Sequence, residues 1–216
     1  MQHDVGQHWG ADPGGTEAIA LELGVSFVEV DFADAASPGS VVGAACGALG
    51  PLDILVVNHA RSGHGRLAEL TAEEIDAFLH ENVRASLLLV REFAARHDDS
   101  RDGGRVVLLT SGQHLGPMAR EVAYAVSKGA LQQAALTLAD ELADRRITVN
   151  AVNPGPTDTG WGLAEHGPGR TMPFGRWGEP DDAARLVAWL CSDDARWITG
   201  QTIDSEGGFR RWEVTG

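Results

Sequence analysis

Basic residues, cysteines and long apolar runs are scarce in this sequence, and each scarcity excludes a class of protein. Lysine and arginine total 17 against 31 aspartates and glutamates, and a formal net charge of −14 argues against a nucleic-acid partner or an anionic membrane surface. The two cysteines, Cys46 and Cys191, lie in apolar stretches and do not suggest a disulfide framework. With neither a membrane-length apolar run nor a signal-peptide pattern, we expect a cytoplasmic protein with no membrane partner.

Two catalytic classes lack their sequence signatures. The eight histidines include no H-x-x-x-H pair and the cysteines form no C-x-x-C pair, so we expect no metal site. Ser111 does not lie in a G-x-S-x-G turn, which argues against a serine hydrolase.

Short β-branched runs alternate with longer helical patterns along the chain. The predicted strands cover residues 25–30, 52–57, 105–110, 147–152 and 201–204. The predicted helices cover residues 12–23, 37–50, 71–97, 122–144 and 180–191, the third of them starting at a capping box, Thr71-Ala-Glu-Glu74. This alternation predicts one α/β domain over 1–216, in which helices cover both faces of a mostly parallel sheet.

Two further patterns refine this picture. The continuous apolar run 52–57 is typical of a buried parallel strand. The segment from Thr157 to Gly178, rich in Gly, Pro and Trp, is long for a connection and suggests a substrate lid, with Trp161 and Trp177 as substrate contacts.

The residues that follow the predicted strands carry the chemistry, because ligands bind beyond the carboxyl ends of parallel strands. Tyr124, the only tyrosine, lies four residues before Lys128 on one predicted helix, so the two side chains point the same way. A nearby ammonium should lower the pKa of the phenol from its usual value of about 10 toward the range useful for general acid–base catalysis. Ser111, thirteen residues earlier, could hold the reacting oxygen against the phenol.

Several segments, in order and spacing, resemble the classical short-chain dehydrogenase/reductase family from about Asp12 to Phe209, including its 3-oxoacyl-acyl-carrier-protein reductase-like members. The matching segments are Val30-Asp31-Phe32-Ala33-Asp34, Asp53-Ile-Leu-Val-Val-Asn58-His59-Ala60, Glu81-Asn82-Val83, Ser111, Tyr124-Ala-Val-Ser-Lys128, Asn153-Pro-Gly-Pro-Thr-Asp-Thr159 and Ile198-Thr-Gly-Gln-Thr-Ile-Asp-Ser-Glu-Gly-Gly208.

The resemblance implies that Tyr124 is the general acid/base, and that Lys128 lowers its pKa and holds the nicotinamide ribose. It also implies that Ser111 orients the substrate and that Asn82 supports a proton-relay water. The residues implied to contact an NAD or NADP cofactor are Asp31, Phe32, Asn58, His59, Ala60, Tyr124, Lys128, Pro154, Gly155, Thr157 and Thr159.

The sequence departs from the family pattern in two places. His59 stands where the family has a small residue, which adds bulk beside the cofactor path. Before Asp12 there is no strand, glycine-rich turn and helix of the kind that binds a dinucleotide pyrophosphate. The Gly63-His-Gly65 segment is better explained as a loop, since the next helix begins only at Thr71.

We therefore predict a Rossmann-like doubly wound parallel sheet that lacks the first βαβ unit, with an unpartnered strand at 25–30 and open apolar helix faces. Truncation of an enzyme is the favoured explanation. A short form that repairs its sheet by self-association and a pseudoenzyme are the other two.

The predicted function is an NAD(P)-dependent oxidoreductase that interconverts a carbonyl and an alcohol on a small-molecule substrate. The resemblance implies a homodimer or homotetramer. The alternative is a cofactor-free pseudoenzyme or assembly subunit with the same fold, and the sequence leaves open the choice between NAD and NADP.

Overall fold

The computed structural model describes residues 15–159 and 172–212, and its centre is a parallel sheet. The four strands of the described ranges are β1 (Ile54–Val57), β2 (Arg105–Leu109), β3 (Thr148–Asn153) and β4 (Thr202–Asp204). They lie in the sheet in chain order, and each pairs in parallel with the next. The helix start at Asp12 and the lid residue Trp161 lie outside the described residues.

Helices connect these strands and cover both faces of the sheet. The helices are α1 (Gly15–Leu23), α2 (Ser37–Leu49), α3 (Ala72–Phe78), α4 (Ala85–Arg96), α5 (Val122–Glu141) and α6 (Pro180–Leu190), with single 3-10 turns at Leu67–Glu69, Gly112–His114, Ala143–Arg145 and Asp193–Ala195. The predicted α/β class is confirmed. None of these helices is long and apolar enough to cross a membrane.

Alternate side chains of the central strands supply two hydrophobic cores, as expected for strands that are buried on both faces. Val106 and Leu108 of β2 join the core that includes α2, α4 and α5 residues. Val107 and Leu109 point the other way, into a smaller core that includes Leu190 of α6. All five residues of β2 and all six of β3 are buried, so these two strands form the rigid base of the site.

The helix predicted over 71–97 begins where expected but is interrupted. The Thr71 hydroxyl accepts a hydrogen bond from the Glu74 backbone N–H at 3.2 Å, which confirms the predicted cap. Between α3 and α4 the chain makes a wider π-helical turn over Leu79–Arg84. Such turns are rare in helices and concentrate at functional sites, and this one carries Asn82.

The strand predicted at 25–30 is wrong. These residues follow α1 without pairing to any strand in the described ranges, and Val25 and Val28 are 57% and 42% exposed. An extended segment becomes a strand only when its N–H and C=O groups meet a partner. In the described chain no strand lies on the outer side of β1, so residues 25–30 have no neighbouring strand to pair with.

The strand predicted at 52–57 forms only from Ile54, and the expectation that it is fully buried is wrong. Ile54 and Val56 are 48% and 42% exposed, whereas Val57 is 2% exposed. In the described chain β1 is the edge strand, with β2 on one side. The apolar composition identified the strand correctly, but burial also needs a covering element.

The Thr71 cap gives a direct test of helix α3. Replacing Thr71 with alanine removes the acceptor of the Glu74 N–H and should lower the free energy of unfolding by about 1 kcal/mol, measured by urea denaturation. Thr71→Ser keeps the hydroxyl and should stay within about 0.5 kcal/mol of the parent. Equal losses in both variants would show that the cap is not the cause.

Candidate active site

One large cavity of about 1350 Å³ opens at the carboxyl ends of the strands. The predicted site residues that line it are Phe32, Asn58, His59, Ala60, Ser111, Tyr124, Pro154, Gly155, Thr157 and Thr159. The cavity also runs along the open edge of β1 and the neighbouring side of α2. The apolar helix face expected from the sequence is therefore open, and it is continuous with the site.

Three predicted site residues lie elsewhere. Asp31 is exposed and its carboxylate accepts a hydrogen bond from the Ala33 N–H at 2.8 Å, so it closes a turn beside the cavity. Lys128 and Asn82 are buried, at 2% and 0% exposure, behind the residues that form the wall.

The first two turns of α5 hold Tyr124 and Lys128 against the end of β2. The Lys128 ammonium donates to the Leu109 carbonyl oxygen at 2.8 Å and lies 5.8 Å from the centre of the Tyr124 ring. The Thr110 hydroxyl donates to the Lys128 carbonyl oxygen at 3.0 Å, which fixes this part of α5 to the strand. Sequence spacing thus placed both side chains correctly, and Ser111 joins them through a hydrogen bond with Tyr124.

The expectation that Lys128 lowers the pKa of Tyr124 below its usual value is wrong for the protein without a bound cofactor. Burial raises the pKa of Tyr124 to about 12, and the hydrogen bond with Ser111 opposes this rise only in part. Burial also lowers the pKa of Lys128 to about 8. Both shifts have the same cause, since removal from water disfavours whichever form carries charge. The phenol is therefore neutral at physiological pH.

Asn82 fastens the loop after β1 to helix α5. Its side-chain oxygen accepts from the Arg61 backbone N–H at 2.6 Å, and its amide donates to the Arg61 carbonyl and the Ser127 hydroxyl, both at 2.9 Å. Asn82 lies in the π-helical turn and is fully buried. Because every polar atom of the amide is used, Asn82 fixes the relative position of two walls of the cavity.

His59 packs into the wall rather than blocking the cavity. Its ring lies 4.2 Å from that of Phe32, centre to centre, and its Nε2 donates to the Glu81 carbonyl oxygen at 2.8 Å. Burial lowers the pKa of His59 to about 4, and the positive charge of Lys128 acts in the same direction. The imidazole is therefore neutral, with its proton on Nε2.

The loop after β3 carries the remaining predicted cofactor contacts. Gly155 has a positive φ of 67°. A Cβ added to Gly155 would lie only 2.9 Å from the Ser205 carbonyl oxygen, so no side chain fits at this position. The Thr157 hydroxyl donates to the Pro154 carbonyl oxygen at 3.1 Å. Thr157 and Gly178 form a parallel bridge, which brings the two ends of the predicted lid together and places Trp177 in the cavity wall.

The glycines at 63 and 65 form a loop, as expected. Gly65 pairs with the segment before α5, accepting from the Val122 N–H at 3.2 Å and donating to the Arg120 carbonyl oxygen at 2.7 Å. Its backbone is thus occupied by the protein itself. Within residues 15–159 and 172–212, no group of three or more His, Cys, Asp or Glu side chains is arranged to hold a metal ion.

Sequence reasoning missed two ion pairs in the cavity wall. The Arg61 guanidinium pairs with the Glu81 carboxylate at 3.0 Å and lies 5.6 Å from the centre of the Phe78 ring. Arg211 pairs with Glu206 at the opposite end. Both arginines line the cavity. No local signal predicts them, since the first pair spans 20 residues and the second depends on how the chain crosses the sheet after β4.

Comparison with known proteins agrees with this architecture. A family model described as enoyl-(acyl carrier protein) reductase matches residues 9–210. An uncharacterized oxidoreductase of Bacillus subtilis is 42% identical over 212 residues, which cover 94% of this chain and 84% of that protein. Versicolorin reductase 1 of Aspergillus parasiticus is 33% identical over 215 residues, covering 91% and 78%.

Solved structures extend the comparison. A short-chain dehydrogenase/reductase from Serratia marcescens superposes with a TM-score of 0.83 at 33% identity, covering 92% of this chain and 84% of that one. An angucycline C-6 ketoreductase with bound NADP superposes with a TM-score of 0.78 at 34% identity, covering 89% and 78%. The chain therefore belongs to the short-chain dehydrogenase/reductase family of oxidoreductases.

The neutral state of His59 predicts a pH dependence of stability. As the pH falls from 6.5 toward 4, His59 binds a proton in the unfolded chain but stays neutral in the folded protein. The free energy of unfolding that is present above pH 6.5 therefore decreases. Between pH 7 and 5 this loss should amount to about 1–2 kcal/mol.

The measurement compares the parent with His59→Gln by urea unfolding at both pH values. Glutamine keeps a donor for the Glu81 carbonyl but cannot titrate, so the variant should lose less stability on acidification. Identical losses would show that His59 titrates normally in the folded protein.

Proposed function

We propose that this protein is a nicotinamide-dependent oxidoreductase that interconverts a carbonyl and an alcohol, with Tyr124 as the general acid/base. The observation that carries the proposal is the meeting of Ser111, Tyr124 and Lys128 at the end of β2, beside one large cavity. A hydroxyl, a phenol and an ammonium are the groups needed to hold a carbonyl oxygen, to protonate it and to control the proton.

The residues present fit a nicotinamide cofactor. An ammonium has three donors, and in the described chain the Lys128 Nζ has one hydrogen-bond acceptor, the Leu109 carbonyl oxygen. Two donors therefore remain on a side chain that is buried directly behind the cavity wall. The cavity of about 1350 Å³ includes the groove along β1 and α2, and a cofactor and a small substrate would lie in its part from Phe32 and His59 to Ser111 and Tyr124. Solved relatives that hold NADP or NADPH support this assignment.

When bound, the cofactor would supply the hydride. Tyr124 is neutral at physiological pH, so its Oη carries the proton that a reduced carbonyl oxygen needs. The Ser111 hydroxyl, already hydrogen-bonded to Tyr124, would hold that oxygen in line with the phenol. In the reverse direction the phenolate must form, and the charge of Lys128 near the ring would stabilise it.

Asn82 would act as a positioning residue. Its amide fixes Arg61 and Ser127, and through them the cavity wall and the helix that carries Tyr124. Support of a proton-relay water by Asn82 remains a prediction.

A cofactor-free binding protein is the second candidate. A relative from Escherichia coli, named as a cyclic-di-GMP-binding biofilm dispersal mediator protein, is 37% identical over 198 residues, covering 88% of this chain and 80% of that protein. The high pKa of Tyr124 is also what a purely structural tyrosine would show. Fluorescence titration with NADH and NADPH separates the two, because only the oxidoreductase should transfer energy from its tryptophans to the reduced nicotinamide.

We also propose that the protein is a homodimer or homotetramer. Apolar side chains on the outer sides of α4 and α5, Leu87, Val126 and Leu136, are 39%, 60% and 56% exposed, which a subunit contact would cover. Light scattering should give a multiple of the chain mass, and a monomeric mass at micromolar concentration would contradict the proposal.

The acid–base role is tested by Tyr124→Phe. Loss of the hydroxyl should lower kcat by about 100- to 10,000-fold with a panel of ketones and NADPH or NADH. The dissociation constant for the reduced cofactor should change far less than kcat, because Tyr124 is only one of the many residues that line the cofactor path. Ser40→Ala is the matched control, because it removes an exposed hydroxyl in α2, and this variant should behave like the parent. Retained activity in Tyr124→Phe would remove the tyrosine from the mechanism.

A further inference from the structure

Residues 206–212, here called the strap, cross the carboxyl edge of the sheet after β4 and form part of the cavity wall. Phe209, Arg211 and Trp212 line the cavity on the side of Gly112 and Gly116, which follow Ser111. The Trp212 ring would come within 3.0 Å of a Cβ placed on Gly116. Aromatic side chains thus face the end of the cavity where the reacting oxygen would sit.

A partly buried ion pair holds the strap in place. The Arg211 guanidinium binds both carboxylate oxygens of Glu206, through Nη1 to Oε2 at 2.8 Å and through Nη2 to Oε1. The two side chains are only 17% and 7% exposed. Two-point arginine–carboxylate pairs fix geometry better than single hydrogen bonds do. The pair therefore sets the direction in which the strap leaves β4.

The ion pair is itself attached to β3. The Glu206 Oε1 accepts a second hydrogen bond from the Asn153 amide at 2.7 Å, and Asn153 is 1% exposed. The Asn153 Oδ1 accepts from the Gly155 N–H at 3.0 Å. The strap, the end of β3 and the loop that carries the predicted cofactor contacts thus form one hydrogen-bonded unit.

Glycines leave the space that the strap occupies. A Cβ on Gly112 or on Gly116 would overlap the Arg211 side chain, and a Cβ on Gly155 would lie 2.8 Å from the Glu206 Cα. Arg211 also packs over the Phe209 ring, 4.9 Å from its centre. Arg211 therefore fills the space that Gly112 and Gly116 leave open beside the strap.

From this geometry we infer that Arg211 is a positioning residue that holds Phe209 and Trp212 as an aromatic wall, and that this wall selects planar aromatic carbonyl compounds. Flat apolar ligands gain from stacking and edge contacts with aromatic rings, and small aliphatic ketones gain little. The substrate class in this inference rests on the proposed function. The role of Arg211 in placing the strap does not depend on that function.

The first experiment tests the ion pair without any catalysis. Arg211→Met keeps much of the side chain's length and removes its charge, and Arg210→Met removes the neighbouring, exposed charge as a matched control. Hydrogen exchange read by mass spectrometry should speed up over 206–212 in Arg211→Met, including the Phe209 N–H that donates to the Glu206 carbonyl oxygen at 3.0 Å. The control should match the parent. Unchanged exchange in Arg211→Met would overturn the positioning role.

The second experiment tests the wall with 2-acetylnaphthalene and 2-butanone as ketones and NADPH as reductant. The parent should prefer the naphthyl ketone in kcat/KM. In Arg211→Met, KM for the naphthyl ketone should rise about tenfold, the equivalent of one charge-assisted hydrogen bond. KM for 2-butanone and kcat for both ketones should stay within about twofold. The dissociation constant of NADPH should also stay within about twofold, because the Asn153–Glu206 and Gly155–Asn153 hydrogen bonds that support the cofactor loop do not involve Arg211. Arg211→Lys should recover part of the loss.

The outcomes separate the two proposals. No preference for the naphthyl ketone in an active parent overturns the aromatic wall, as does an equal loss with both ketones. A parent that neither binds NADPH nor reduces any ketone overturns the proposed function and, with it, the substrate class. In that case the exchange experiment still decides whether Arg211 positions the strap.

Discussion

The buried ammonium of Lys128 is the interaction around which the site is organised. A lysine at 2% exposure is unfavourable unless its charge is compensated, and here a single carbonyl oxygen at the end of β2 receives it. This contact fixes the first turns of α5 against the sheet. Tyr124 is placed by the same turns, so the position of the phenol follows from where the lysine finds its acceptor.

Hydrogen bonds and ring packing fix the rest of the wall around this region. Asn82, in the π-helical turn, uses every polar atom of its amide to join the loop after β1 to α5. His59 fills the space beside Phe32 as a neutral ring. Burial explains why the pKa values of Tyr124 and Lys128 move in opposite directions, each toward the uncharged form of its group.

The sequence predicted those features that depend on local pattern. The alternation of short apolar runs with helical patterns predicted the parallel sheet, and Thr71 predicted the start of a helix. The i, i+4 spacing predicted that Tyr124 lies beside Lys128. The family resemblance, now confirmed, directed attention to the ten predicted residues that line the cavity.

What the sequence could not predict depends on contacts between distant segments. The run from Val25 to Val30 has strand composition, yet pairing needs a neighbour, and the described chain offers none. The pKa of Tyr124 depends on the balance between burial and charge, which spacing alone does not reveal. Arg211 and Glu206 are close in sequence, but the position of their ion pair depends on distant segments. Asn153 donates to Glu206, and three glycines on other segments leave the space that the pair occupies.

Tyr124 and Lys128 are the only tyrosine and the only lysine in the chain, so the ionisation of the phenol can be followed without interference from another tyrosine. The most direct test is a titration of phenolate absorbance in the folded protein, with and without saturating NADP⁺. Without cofactor, we expect no phenolate until the pH approaches about 12. With NADP⁺, whose nicotinamide is positively charged, the midpoint should fall by at least about one pH unit. The same midpoint in both states, or ionisation near 10 in the cofactor-free protein, would contradict the account.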